Sequence, residues 1–317
     1  MLNFDSINLS VLAVKYDLLA LGATAVDELA YLPNFPAADT KTYMTRHLRV
    51  CGGLAGRALL TAAGMGLRCA YAGALDRSDR SAYVLASLVA GGVDVSHALR
   101  ETTAQPVHAV ILVDAVTGSR TILADVPEAR GAALGEPPAE IIQGSRMLLV
   151  DHFGVPGMVR AAKIAKAAGV PILGDIERRV GSQLGELIGL VDHLILPAQF
   201  ACDWSGAGSA AEAVRELRSS QHAMIAVTDG ASGCWYWDRG QERVEHLGAI
   251  QAEVRDTTGC GDVFHAAYAV AVLEGLNTRA ALRFATAAAA VKASREADDA
   301  LPSRADAQRL LGACGGG

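Results

Sequence analysis

The sequence predicts an α/β fold with a mainly parallel sheet covered by helices on both faces. Three observations lead there. Short runs rich in Val, Ile and Leu alternate with Ala-rich helical segments along most of the 317 residues. One stretch breaks that rhythm with a two-residue period. A Gly-rich loop opens a helix late in the chain. Strand–helix alternation implies parallel strands joined by crossover helices, and ligands then belong at the C-terminal ends of the strands.

Taken in order, residues 17–22 read as a strand and 53–66 as a helix. Residues 69–74 are strand-like, and 81–91 form a helix with Val84, Leu85 and Leu88 on one side. The segments 147–151, 171–175, 193–196 and 223–228 are short apolar runs of the kind found in buried strands. Helical patterns at 156–168, 181–190, 210–219, 263–274 and 278–294 separate and follow them. Residues 107–114 alternate with period two, Thr117-Gly118-Ser119 supplies a turn, and 120–125 resume extended structure, which predicts a hairpin. A second extended stretch, 41–50, precedes Gly52-Gly53. These pieces suit either an edge hairpin or a small antiparallel sheet outside the main layers.

Hydrophobic residues make up 51% of the chain and charged residues 20%, a globular composition. The net charge of -6 argues against general affinity for nucleic acid or an anionic membrane. At 5% aromatics, base-stacking platforms are not expected either. The six cysteines show no Cys-x-x-Cys spacing and the eight histidines no metal-ligand pair, so neither a zinc site nor a redox pair is expected. Asp5 precedes any basic residue, and Lys15 and Asp17 interrupt the first apolar stretch, unlike a secretory signal. The apolar runs are too short to span a bilayer. A soluble, cytoplasmic protein is expected.

Residues 255–264, Arg-Asp-Thr-Thr-Gly-Cys-Gly-Asp-Val-Phe, carry the chemistry. Glycines on either side of Cys260 allow a tight loop whose amides converge at a helix start, a site for a phosphate. Asp262 falls in the first helical turn, where a carboxylate repels such an anion. A chemical reason for it is proton abstraction from a hydroxyl that attacks phosphorus. The bland alternative is helix capping by Asp and Thr before an ordinary loop.

The full string Asp-Thr-Thr-Gly-x-Gly-Asp-x-Phe resembles the C-terminal motif of the PfkB, or ribokinase-like, sugar kinases. The resemblance runs from about Leu18 to Leu311. It implies a three-layer α/β/α fold, one kinase domain over 17–317, and a small antiparallel β lid from about 30–50 and 104–126. It implies an anion hole at Gly259, Cys260 and Gly261, with Asp262 as base, and ATP and Mg²⁺ as cofactors. Gly22-Ala-Thr-Ala-Val-Asp27 looks like the first strand with its sugar-binding carboxylate. Gly52 and Gly53 match the Gly-Gly loop that approaches the sugar, and Lys41 sits where related kinases contact substrate. Thr228, Gly230 and Gly233 resemble the turn that contacts the ATP phosphates. Thr257 and the Ala-rich helix with Ala287 and Ala290 complete the implied nucleotide site. The implied partners are a small sugar and ATP, with a homodimer formed through the lid.

Two departures stand out. Arg57 replaces the family's usual Asn, and its guanidinium either holds a substrate group or points outward. The family's Asn-x-x-Glu is missing from Pro197-Ala198-Gln199-Phe200-Ala201. Ketohexokinase-like branches share that loss, which favours a ketose. Asp175 and Glu177, spaced by two after a strand, are then the candidate neighbours of Mg²⁺. A nucleoside kinase or a silent sugar- or nucleotide-binding regulator are the alternatives. A dinucleotide oxidoreductase fails for want of Gly-x-Gly-x-x-Gly after the first strand.

Overall fold

A computed structural model of the chain describes residues 14–101, 103–117, 119–126, 130–296 and 301–314. Its main sheet has eight strands in the order Glu245–Leu247, Cys234–Asp238, Met224–Thr228, His193–Pro197, Ile172–Asp175, Leu148–Asp151, Leu18–Ala20 and Cys69–Tyr71. The last six run parallel, and the first two are an antiparallel extension at one edge.

The parallel strands are buried on both faces, and their side chains divide between two cores. Leu18, Ala20, Leu173, Met224 and Ala226 face one core, shared with helices Leu54–Gly64, Cys260–Leu273 and Thr278–Ala293. Leu19, Leu21, Ile172, Ile225 and Val227 face the other, shared with helices Val155–Ala168, Leu184–Leu190 and Ala210–Leu217. This alternation is the two-residue strand period acting on strands with no polar face. The result is three layers, helix on sheet on helix. Among the described residues no helix is long and apolar enough to cross a membrane.

A four-stranded lid stands apart, in the order Arg46–Gly52, Ala25–Leu32, Val107–Asp114 and Arg120–Asp125. Two antiparallel hairpins meet through a parallel pairing of Ala25–Leu32 with Val107–Asp114, so the lid is a mixed sheet. Leu29, Tyr31, Ala109, Ile111 and Val113 form its own small core. The predicted hairpin at 107–125 is present, with Gly118 outside the described residues.

Three boundaries differ from expectation. The lid begins at Ala25, because Ala25–Leu32 is buried on almost every residue and shows no alternation to read. Its partner strand runs Arg46–Gly52, leaving Lys41 before the sheet. The late helix starts at Cys260, three residues earlier than its apolar pattern suggests. Gly259 makes that start possible: with φ of 76° it takes a left-handed conformation that turns the chain straight into the helix.

Candidate active site

A cavity of about 290 Å³ lies between the lid and the C-terminal ends of the parallel strands. Asp27, Gly53 and Arg57 form one side, and Thr257 to Asp262 form another. The inner face of the lid closes it with Ala109, Ile111, Ile122 and Ala124. Elements far apart in sequence therefore converge here.

In the Gly259–Gly261 loop the Cys260 N–H turns back onto the Thr257 carbonyl at 3.3 Å, while the Gly259 and Gly261 amides have no backbone partner among the described residues. Gly259 caps helix Cys260–Leu273, and no side chain caps it. The first-turn N–H groups of a helix have no intrahelical partner, so this end is open to an anion. A Cβ built on Gly261 would enter open space, which leaves room for one. Burial pushes the Cys260 thiol up to about 11, which leaves it a poor nucleophile. The loop is anchored from behind. Lys292 Nζ lies 3.3 Å from the Asp256 carbonyl and 3.5 Å from Asp256 Oδ2, both residues being buried. Asp256 Oδ1 in turn accepts from the Thr258 N–H at 2.8 Å.

Arg57 points inward. Its Nη2 lies 3.6 Å from Asp27 Oδ2 and its Nε 3.9 Å from Asp262 Oδ2, so one buried guanidinium bridges two carboxylates. Its stem passes directly beneath Gly259. Burial raises the Asp262 carboxyl well above the ordinary range, the Asp175 charge adds to this, and Arg57 opposes both. Asp27 is also raised by burial and held back by Arg57. Gly52 lies hard against Asp27, with no room for a side chain between them. Gly53 caps helix Leu54–Gly64 at φ of 84°, where an added Cβ would come 2.6 Å from the Thr24 backbone.

Asp175 is buried, and neither carboxylate oxygen has a hydrogen bond among the described residues. His265 Nδ1 is 3.3 Å from one of them, while the same ring links the Gly261 and Ile195 carbonyls. Burial raises the Asp175 carboxyl strongly, with Glu177 and Asp151 adding to the effect. Glu177 stands at the cavity rim, raised by desolvation and lowered by His265, Arg120 and Arg178. Among the described residues no group of three or more His, Cys, Asp or Glu is disposed to hold a metal. These residues fit a cation that brings most of its own ligands and takes one or two carboxylates from the protein.

A second cavity of about 590 Å³ shares Glu177 and Arg178 with the first and is completed by Pro197, Phe200 and Trp204. Thr228 pairs in register with Pro197, so the turn holding Gly230 and Gly233 lies beside this space. Thr257 lines the first cavity. Two expected contacts are not brought to it. Lys41 is exposed, its ammonium 5.3 Å over the Tyr43 ring, because the chain before Arg46 stays outside the lid sheet. Ala287 is wholly enclosed in the core and offers no surface to a nucleotide, and Ala290 is nearly so.

Sequence reasoning overlooked three side chains. Arg120, on the cavity face of the outer lid strand, donates to the Thr257 hydroxyl across the cleft. Its two-residue spacing from Ile122 and Ala124 was a readable signal. Lys292 and His152 carried no such signal, because their partners lie far away in sequence.

The described geometry sets an uncapped helix start, a buried carboxylate and a lidded pocket side by side. Residues 15–304 match the pfkB family of carbohydrate kinases. The chain belongs to this family. Among pfkB relatives, ribokinase of Haemophilus influenzae is 23% identical over 310 residues, covering 94% of this chain and 99% of its own. A nucleoside kinase of Methanothermobacter thermautotrophicus is 24% identical over 295 residues, with 86% and 88% covered. The structure of Arabidopsis thaliana ribokinase complexed with ribose and ATP superposes with a TM-score of 0.78 at 22% identity, covering 93% of this chain and 98% of that one. The pfkB match makes this protein a kinase, and the likeness in structure shows a shared fold over 93% of the chain.

Proposed function

We propose that the protein transfers the γ-phosphoryl group of ATP to a hydroxyl of a small sugar or sugar derivative. The observation that carries this reading is Asp262 in the first turn of an uncapped helix, on the wall of the lidded cavity and opposite Asp27. Asp27 and the Gly52–Gly53 backbone hold the acceptor. Asp262 takes the hydroxyl proton as the acceptor oxygen bonds to phosphorus. The bond from phosphorus to the β-phosphate oxygen breaks, and ADP leaves. The Gly259–Gly261 amides hold the moving phosphoryl group, whose charge is spread over its outer oxygens. Arg120 adds a positive charge from the lid side.

Thr228, Gly230, Gly233 and Thr257 are assigned to ATP. Bound with the nucleotide, Mg²⁺ would supply charge to offset the triphosphate. Glu177 and Asp175 are the protein groups that would hold it, since Asp175 has two oxygens free of hydrogen bonds. A homodimer through the lid is supported by the outer strand, where Leu123, on the face away from Ile122 and the cavity, is 58% exposed. Light scattering of the purified protein tests that point. A cytoplasmic location follows from the use of ATP.

A ketose is favoured because the missing Asn-x-x-Glu is shared with ketohexokinase-like kinases. A nucleoside is the second reading, supported by the apolar lid wall of Ala109, Ile111, Ile122 and Ala124, which suits a flat base. A coupled ADP-release screen over D-fructose, D-ribose, their sugar-acid relatives and adenosine tests both. Turnover of a sugar supports the first reading and turnover of adenosine alone the second. No ADP release with any acceptor contradicts the assignment.

A further inference from the structure

We propose that His152 is a specificity-determining residue of the acceptor site, donating a hydrogen bond from Nε2–H to an oxygen of the acceptor. This rests on the kinase reading above and names a contact that reading does not include. His152 follows strand Leu148–Asp151, is 4% exposed, and its ring forms part of the cavity wall with Asp27, Arg57 and Asp262. The Phe153 ring packs against it at 4.6 Å between centroids and 34° between planes, which fixes its orientation.

The position of the ring proton follows from the neighbours. Nδ1 receives the Glu177 backbone N–H at 3.4 Å. A nitrogen that accepts cannot hold the proton, so the proton is on Nε2. Nε2 is buried and has no partner among the described residues. The other two fully buried histidines are engaged: His222 Nδ1 meets the Val191 carbonyl at 2.8 Å, and both His265 nitrogens meet carbonyls.

An orphaned donor inside a packed wall lowers stability with no structural return, so its partner is expected from the ligand. Two other side chains on the wall carry unpaired donors: Arg57, whose Nη2 faces the Asp27 carboxylate at 3.6 Å, and Thr258, whose hydroxyl can turn to either role. His152 has no such neighbour to answer it. It is a neutral donor with no lone pair left to give, whereas an ionised Asp27 can only accept. Together they give the pocket a polarity: the acceptor offers a hydroxyl hydrogen to Asp27 and an oxygen lone pair to His152. A carbonyl or ring oxygen meets that second demand.

Full-length His152→Leu and His152→Gln test this, with D-fructose, D-ribose and adenosine as acceptors. Leu removes the donor, and Gln restores an N–H at similar reach. For the acceptor that the wild type uses, Leu should raise KM about 10- to 100-fold, the range expected for one unmet hydrogen bond. KM for ATP and the melting temperature should hold, and Gln should recover most of the loss. An unchanged acceptor KM in His152→Leu overturns the proposal, as does an equal rise in both KM values with a fall in melting temperature. A second readout needs no acceptor: ¹⁵N spectra of the histidine-labelled enzyme should show His152 as the Nε2–H tautomer, and Nδ1–H there overturns the proposal outright. Failure of the wild type on all three acceptors would count against the kinase reading of this pocket, and the tautomer would then decide the His152 inference alone.

Discussion

Arg57 carries one positive charge and faces Asp27 and Asp262 at 3.6 and 3.9 Å in a buried setting. At such separations each attraction is about 4 kcal/mol at an effective dielectric of 20, enough to offset a large part of the desolvation of all three groups. Removing the guanidinium leaves two buried carboxylates facing each other with nothing between. Arg57→Met is therefore predicted to lower stability by about 3–5 kcal/mol, while Arg57→Lys recovers part of it. Urea titration of the three proteins measures this, and equal midpoints would contradict the bridge. The sequence showed that position 57 departs from the family's Asn and left its direction open. Direction depends on the stem passing under Gly259, a contact 202 positions away that no local pattern encodes.

The loop and helix of residues 256–273 form the element on which the chemistry depends. Its string of residues was legible because two glycines, an Asp in the first turn and an apolar helix follow one another without interruption. What holds it was not. Lys292 pins Asp256 from another helix, and Arg120 reaches Thr257 from the lid. Both contacts arise only when the layers pack. Gly259 is the element's pivot, combining a left-handed backbone with the Arg57 stem directly beneath it. Gly259→Ala forces a strained conformation costing about 1–2 kcal/mol and pushes Arg57 aside. We expect a lower melting temperature and a loss in kcat on the order of 100-fold, since small misplacements of catalytic groups have effects of that size. Differential scanning fluorimetry and steady-state assays test this, and an Ala variant with unchanged kcat would contradict it.

At the scale of the whole molecule, the six parallel strands were readable from alternation alone, since strands buried on both faces appear as plain apolar runs, whereas the edge strands Cys234–Asp238 and Glu245–Leu247 and helices Ala198–Ser205 and Arg304–Cys314 were not. The lid was only half readable. Val107–Asp114 alternates between a cavity side and an outer side, but Ala25–Leu32 lies at the centre of the lid and is buried throughout. Folding also gathers acids at the strand ends. Burial raises Asp151 to about 7, and Asp27, Asp175 and Asp262 also lie above their ordinary values. A raised carboxyl binds its proton more tightly when folded, so the stability it contributes is present at low pH and lost as pH rises toward the folded value. Asp17, Asp94 and Asp306, held near 2, act in the opposite sense below about pH 4. Thermal melts should therefore fall between about pH 4 and pH 7, and the rise at Asp151 alone accounts for roughly 4 kcal/mol of that loss. Asp151→Asn should flatten that fall, and an unchanged slope would contradict the assignment.

The central claim is that Asp262 removes the acceptor proton while the amides before it hold the phosphoryl group. Asp262→Asn keeps the shape of the side chain, removes its basicity and relieves repulsion from Asp175. Steady-state assays of this variant against the wild type, alongside ATP binding and melting temperature, test the claim most directly. The account predicts a kcat lower by about 10²- to 10⁴-fold with ATP affinity retained and a melting temperature equal or higher. Retention of most of the activity would contradict it.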